Sequence, residues 1–522
     1  MNEFIYFIKG FFGAPAVLIA LFALFGSIMQ RNKFTDVLLS TLKAAVGYLI
    51  LAGGIGLLVS TLDDFTVSFN QLFGLTGIMP NSDALAGNIM KAIPQIATIA
   101  ALMMFISIII NIMLARFSRF KYIFLTGHHT LFICVVIATM FHIAGLDLSS
   151  DIWYFLVVGS GIVSIYMLLS PALTKPYMEY LTQDKKLYIG HANVFGFAIA
   201  GAIGRLVGKI KKGKVKSTED IRFPKWLSVF SNSTVSVAVT MIIIFGITYG
   251  SMWGVYGKEQ MVSLGVIGSS DSVIVKILLD ALTFTAGVEV LIYGIKTMVG
   301  ELIPALEGIS QRLIPGAKMA VDCSVALYYS PTAVLLGFVS SFAGGIIGLL
   351  ISIGLNLAAP AMIPSVIIPG IIAHFFTGGV SGTFGNIKGG VLGAILGAFV
   401  NGLLLSFVPI LFILMEQVYG AQFDPNNVLQ WAESDYSLMS LVGWILYFVW
   451  TKWLLLAIVL CVMIALIVDG VIWERKDRKN RPEFYAELKE IQQKIKANRI
   501  AEKEKRKADK KLSVNESKVK RE

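Results

Sequence analysis

"EGISQRLIPGAKMAVDCS", residues 307–324, sets Glu307, Arg312, Lys318 and Asp322 around the Pro315-Gly316 break, between two apolar runs of membrane-spanning length. A bilayer core is crossed by about 20 apolar residues in a helix. Ionisable groups at that depth are costly and face a cavity or a partner. Proline lacks an N–H and ends the helix before it. Residues 317–330 are therefore predicted to open a second element, too short to span before Pro331. A half-helix there would bring backbone N–H groups and the Asp322 carboxylate to one place, where a small polar ligand could donate hydroxyl hydrogens. A helix cap, or a pair with Arg312 or Lys318, is the competing reading of Asp322. Glu301, Glu307 and Arg312 read as interfacial.

Around this stretch, hydrophobic residues make up 56% of 522 positions and charged ones only 15%. Repeated apolar runs make the chain an all-α polytopic membrane protein rather than a soluble domain. The first run leads directly into Arg31 and Lys33 without a small-residue cleavage site, so a retained span is expected. Candidate spans lie near 11–29, 37–60, 92–114, 122–145, 152–172, 229–250, 272–300, 331–357, 391–415 and 441–469, with a weaker one at 363–384 interrupted by Pro364 and Pro369. Positive residues collect in short cytoplasmic loops. Arg31/Lys33, Arg116/Arg119/Lys121, the 205–225 loop and the tail from Arg475 are thus placed inside. Acidic segments 61–88 and 416–440, which hold no Lys or Arg, are placed outside. This alternation closes only if 363–384 also crosses. The result is a multi-pass protein with eleven transmembrane helices, an outside N-terminus and a cytoplasmic C-terminus.

At an offset of about 240 the chain resembles itself: Gly47 and Gly54 match Gly287 and Gly294, Gln71 matches Gln311, and Asp83 falls opposite Asp322 with one gap. "FLTG" (124–127) lines up with "FFTG" (375–378). Opposite span directions make these inverted repeats of five spans plus one, with broken or re-entrant helices. The expected divisions are 1–225 with its basic loop, 226–440, a final span at 441–470, and a basic tail at 471–522. An ordinary bundle with chance glycine spacing is the alternative.

His128 and His129 follow Thr126-Gly127, His191 sits in "YIGHANVF", and His374 lies in the broken segment. For each, an interhelical hydrogen bond competes with ligand contact. Their Gly-containing breaks favour ligand contact for His128 and His191. Cys134, Cys323 and Cys461 are isolated, so neither a disulfide nor a metal or cofactor is expected. "GKIKKGKV" satisfies the spacing of a phosphate-binding loop, but Val215 replaces the required Ser/Thr and no strand precedes it. The eight Lys/Arg against two acids of 205–225 suit membrane lipid or a phosphorylated cytoplasmic partner. Residues 474–522 hold 18 Lys/Arg against 10 Asp/Glu, so +8 of the net +11 lies in the tail. That charge bears on topology, not on nucleic acid. Phe484, Leu488, Ile491 and Ile495 suggest a partly amphipathic helix there.

"GISQRLIPGA…DC" followed by "SPTAV", with "LTGH", "IGH", "EDI.FPKW" and "IIPG…FF", resembles the membrane component, enzyme IIC, of the ascorbate-type phosphotransferase system (PTS), in the same order from about residue 35 to 400. The resemblance implies a homodimeric permease of the bacterial plasma membrane that takes up L-ascorbate or a related sugar acid or polyol. A cytoplasmic IIB phosphocarrier, itself supplied by IIA, would phosphorylate the substrate, with no covalent chemistry on this chain. It implies substrate contacts at Asp322, His128 and His191. Other family contact positions fall on Ala84, Leu85, Phe132 and Ala192, where hydrogen-bonding side chains are replaced. His129, Thr130 and Asn193 are polar neighbours of those positions, and Leu131 lies among them. Loss of buried polar partners alters discrimination among hydroxylated ligands.

An ion-coupled secondary transporter is the alternative. It requires paired acids in the cavity, whereas the sequence offers Asp322 alone. An intramembrane enzyme would need a nucleophile and base or a metal set. Adjacent His128 and His129 are expected to point apart on a helix, and no such motif occurs.

Overall fold

The computed structural model describes residues 14–73, 78–183, 186–221, 233–419, 429–449 and 452–480, with scattered positions near both ends. Helices dominate because apolar runs of spanning length must satisfy their backbone internally. Proline opens three of them, α1 (Pro15–Gln30), α4 (Pro94–Phe117) and α11 (Pro331–Ala358), where its missing N–H costs nothing. The others up to the second half are α2 (Phe34–Phe73), α3 (Ser82–Ala92), α5 (Gly127–Ile143), α6 (Ile152–Thr182), α7 (Val194–Ile210), α8 (Ser233–Ser263), α9 (Val273–Arg312) and the single turn α10 (Ser324–Leu327). After α11 come α12 (Ile371–Phe407), α13 (Ile410–Tyr419), α14 (Ser434–Met439), α15 (Leu441–Val449) and α16 (Lys452–Asn480). Among the described residues, seven helices are long and apolar enough to cross a membrane, with Ile19–Gln30 and Gly127–Ile143 shorter apolar helices. The molecule is a polytopic helical membrane protein.

Helices α2 and α9, each of 40 residues, exceed the spans expected from sequence and pack along one another. Their contact is made by glycine. A Cβ on Gly47 would lie 2.6 Å from Met298 N, one on Gly294 2.8 Å from Gly47 O, and one on Gly287 3.0 Å from Gly54 O. The helices therefore run antiparallel, Gly47 beside Gly294 and Gly54 beside Gly287, at a backbone separation that only small residues allow. Gly390 (φ 58°) breaks α12 into two arms, which correspond to the expected spans at 363–384 and 391–415. The first arm starts only at Ile371. Residues before it are extended, and Ile367 bridges to Ile78.

Sequence reasoning foresaw no strands, yet short ones organise the centre. β2 (Tyr122–Phe124), β4 (Lys318–Val321) and β3 (Leu187–Ile189) form a parallel sheet in the order β2-β4-β3. β1 (Met79–Pro80) pairs with β5 (Leu429–Gln430). Two expectations change accordingly. The stretch 122–145 is a strand followed by a 17-residue helix, and 317–330 is a strand and one helical turn rather than a half-helix. The acidic segment 416–440, expected as an external loop, returns into the core through β5 and α14, where Trp431 and Tyr436 are fully buried. Phe484, Leu488, Ile491 and Ile495 lie outside the described residues.

A sheet edge in an apolar interior must be covered. Asn111 of α4 does this for β2: its Nδ2 donates to Tyr122 O (3.3 Å), and its Oδ1 accepts from Phe124 N (3.1 Å). Asn111→Ala strands both backbone groups. It is expected to lower stability by about 1–3 kcal/mol, read as a lower unfolding temperature of the detergent-purified chain, while Asn111→Gln loses less.

Candidate substrate-binding site

The parallel register places the C-terminal ends of all three central strands together. Leu125 N donates to Ala320 O (2.8 Å) and Gly190 N to Val321 O (2.7 Å), so each chain leaves the sheet at the same level. Thr126 Oγ1 ties two of these exits by donating to Gly190 O (2.6 Å). The next side chains along are His128, His191 and Asp322. They face a cavity of about 330 Å³ with Tyr48, Asp63, Asn81, Ser82, Phe132, Thr377, Glu433 and Tyr436 also on its wall, within the size range of small-molecule sites.

At its centre Asp322 Oδ2 lies 3.8 Å from His128 Nε2 and 3.5 Å from His129 Nε2. Asp322 Oδ1 accepts from Ser324 N (2.9 Å), which is the capping role weighed from sequence, made without removing the carboxylate from the cavity wall. The two adjacent histidines do not point apart as expected. They stand in the first turn of α5, and the carboxylate sits opposite that turn, so both rings reach it, their centroids 4.2 Å apart. His129 and His191 rings are 4.1 Å apart. His191 Nδ1 accepts from Asn193 N (3.1 Å), which leaves the proton of the neutral ring on Nε2. His129 Nδ1 bonds to the Tyr436 hydroxyl.

A buried network fixes the loop that carries His191. Asp435 accepts from Tyr166 Oη (2.7 Å), Val194 N (3.0 Å), Phe195 N (3.3 Å) and Ser434 Oγ (3.0 Å), and its own N–H reaches Ala192 O (2.8 Å). Asn193 Oδ1 accepts from Ser434 N (3.1 Å), and its Nδ2 donates to Asn401 Oδ1 (2.9 Å). Asn401 in turn donates to Thr377 Oγ1 (3.0 Å) on the cavity wall.

Of the residues singled out from sequence, Asp322, His128, His129, His191 and Phe132 line the cavity. The others do not. Thr130 Oγ1 turns back to Thr126 O (3.0 Å). Leu85, Leu131 and Ala192 are buried in the apolar cluster beside the site, because one side of each short helix or loop faces protein rather than cavity. The side chain of Ala84 lies outside the described residues, as do those of Glu307 and Arg312. Asn193 is structural, and His374 bonds Ser341 Oγ (2.8 Å), the bland alternative. Reasoning from sequence missed Tyr48, Asp63, Asn81, Ser82, Thr377, Glu433 and Tyr436. One signal was available: the ungapped offset puts Ser82, not Asp83, opposite Asp322 (322 − 240 = 82).

Such a molecule, helical and polytopic with short strands and loops converging on a polar central cavity, belongs to a class of membrane transporters built around interrupted helices. The family can be stated directly. The chain belongs to the PTS system sugar-specific permease component family, whose model matches residues 10–426. It is also 24% identical over 412 residues to the ascorbate-specific PTS system EIIC component of Mycoplasma pneumoniae, an alignment covering 72% of this chain. The chain spans about three-fifths of that relative's length, 61%.

Asp435→Ala leaves the Val194 and Phe195 N–H groups without their carboxylate acceptor, while the Tyr166 hydroxyl can still donate to His191 O (2.8 Å). We expect a loss of about 1–3 kcal/mol for each buried group stranded, and a smaller loss for Tyr166→Phe, both read from denaturation of the purified chain.

Proposed function

We propose that this chain is the substrate-binding and translocating subunit, IIC, of a phosphoenolpyruvate-dependent phosphotransferase system. It would import L-ascorbate or a related sugar acid or polyol for phosphorylation by a separate cytoplasmic IIB, which IIA recharges. The observation that carries this reading is the convergence of His128, His191 and Asp322 on one cavity from three separate strand ends. In it Asp322 accepts hydrogen bonds from ligand hydroxyls, and His191 donates through Nε2. Membership of the sugar-specific permease family supports it independently.

Alternating access by inverted repeats is part of the proposal. Equivalent glycines are separated by the same interval (287 − 47 = 240 and 294 − 54 = 240), and they touch crosswise, Gly47 with Gly294 and Gly54 with Gly287. A two-fold axis between the copies produces that pattern. The strands support it too: β4 is flanked by β2 and β3 of the first half, and β1 by Ile367 and β5 of the second. The eleven-span topology, the cytoplasmic C-terminus and the homodimer belong to the same reading.

Among the described residues the cavity wall includes three acids, Asp63, Asp322 and Glu433, and no Lys or Arg. Carboxylates receive hydroxyl hydrogens and repel anions, so the wall favours a neutral polyhydroxylated ligand. These acids also supply the paired carboxylates that an ion-coupled transporter requires, and that second reading rests on them.

Vesicles discriminate the two. Group translocation predicts uptake only when IIB is present and charged, with phosphorylated product inside; accumulation of unmodified substrate without a phosphocarrier would sink it. Asp322→Ala is expected to abolish binding while the chain elutes unchanged from size exclusion. In a binding screen a neutral polyol should bind more tightly than a sugar-acid anion of the same size.

A further inference from the structure

Histidines and a cysteine that are scattered in sequence meet in space. Two sets of donors lie close enough to hold one ion, His128/His129/Asp322 and His191/Asp322/Cys323, with the donor atoms of each set within 4.8 Å of one another. The separations in the first set are informative. Nitrogen and oxygen ligands bind zinc at about 2.0–2.2 Å in a tetrahedral arrangement, which puts neighbouring donors about 3.4 Å apart. Asp322 Oδ2 stands 3.5 Å from His129 Nε2 and 3.8 Å from His128 Nε2, longer than the ~2.7–3.2 Å of a good hydrogen bond. The His129 side chain is 5% exposed, and its Nε2 has no hydrogen-bond partner among the described residues.

Proton accounting separates the sets. A metal takes the lone pair of a neutral imidazole nitrogen, and the other nitrogen then carries the proton. His191 Nδ1 is held by a backbone N–H, which can only donate, so Nε2 keeps its proton and offers no lone pair. The partner of His129 Nδ1 is a tyrosine hydroxyl, which can also accept. His129 can therefore place its proton on Nδ1, toward Tyr436, and turn an Nε2 lone pair to the ion.

We propose that His128, His129 and Asp322 form a site for one zinc-class divalent transition-metal ion, with Tyr436 orienting His129. The fourth position opens on the cavity, where water completes the coordination. An ion held there takes up Asp322 and blocks the cavity to the ligand proposed above.

The test needs no sugar, so its failure and that of the transport reading are separable. The detergent-purified full chain is titrated with Zn²⁺ by calorimetry and with Co²⁺ by absorption, for which a tetrahedral site gives intense visible bands. One saturable site is expected. His129→Ala and Asp322→Asn should each weaken it beyond the roughly 10–100-fold that loss of an outer-shell partner costs, while His191→Gln leaves it within about threefold and all variants elute as the wild type does. Tyr436→Phe should fall within that 10–100-fold range. Absence of saturable binding by the wild-type chain, or binding unchanged in His129→Ala and Asp322→Asn, would overturn the site. Equal loss in His191→Gln would overturn the donor assignment.

Discussion

The backbone pairing of β4 with β2 and β3 is the constraint on which the rest depends. An extended segment inside an apolar interior leaves N–H and C=O groups that water cannot satisfy, and each unpaired one is costly. Here the middle strand satisfies two flanking strands, and Asn111 closes one outer edge. Once those bonds are made the strand ends have no freedom of register. A slip of one residue would turn Asp322 away from His128 and break the hydrogen bonds that hold Leu125 and Gly190. The geometry of the cavity is thus inherited from main-chain pairing rather than from side-chain packing.

Most of the helical fold was legible because bilayer thickness imposes a length and a composition on any spanning segment. The runs at 92–114 and 331–357 became α4 and α11 almost unchanged. Strands of two to four residues carry no comparable signal. Tyr122-Ile123-Phe124 reads as the start of an apolar helix, and only distant partners make it extended. The same limit hid Glu433 and Tyr436. Segment 416–440 looked external because its acids lack basic neighbours, but net charge does not report whether a loop folds back into protein. Asp322, His128 and His191 could be found because each sits beside a glycine break or between charged residues, where a continuous span is impossible.

Around the cavity, the two walls are held in different ways. The His191 loop is fixed by Asp435, Tyr166 and the Asn193–Asn401–Thr377 chain, all from elements packed behind it. The opposite wall comes from α2, whose Tyr48 and Asp63 reach the cavity from a helix held to α9 by glycines. Beside those glycine contacts, Lys276 of α9 pairs with Asp64 of α2 at 2.6 Å, next to Asp63 on the cavity wall. One wall is fixed by a buried hydrogen-bond network, the other by close glycine packing and an ion pair.

The strand order also bears on how the chain is made. β2 emerges 196 residues before β4 (318 − 122 = 196), and β3 emerges between them. At roughly 5–20 residues per second of synthesis, β2 waits about 10–40 s for its partner. Until residues 318–321 are made, β2 and β3 lack the strand that pairs with both of them in the finished sheet. The backbone bonds that bring His128, His191 and Asp322 together thus wait for the second half of the chain, and a chain truncated before β4 would lack the middle strand of its central sheet.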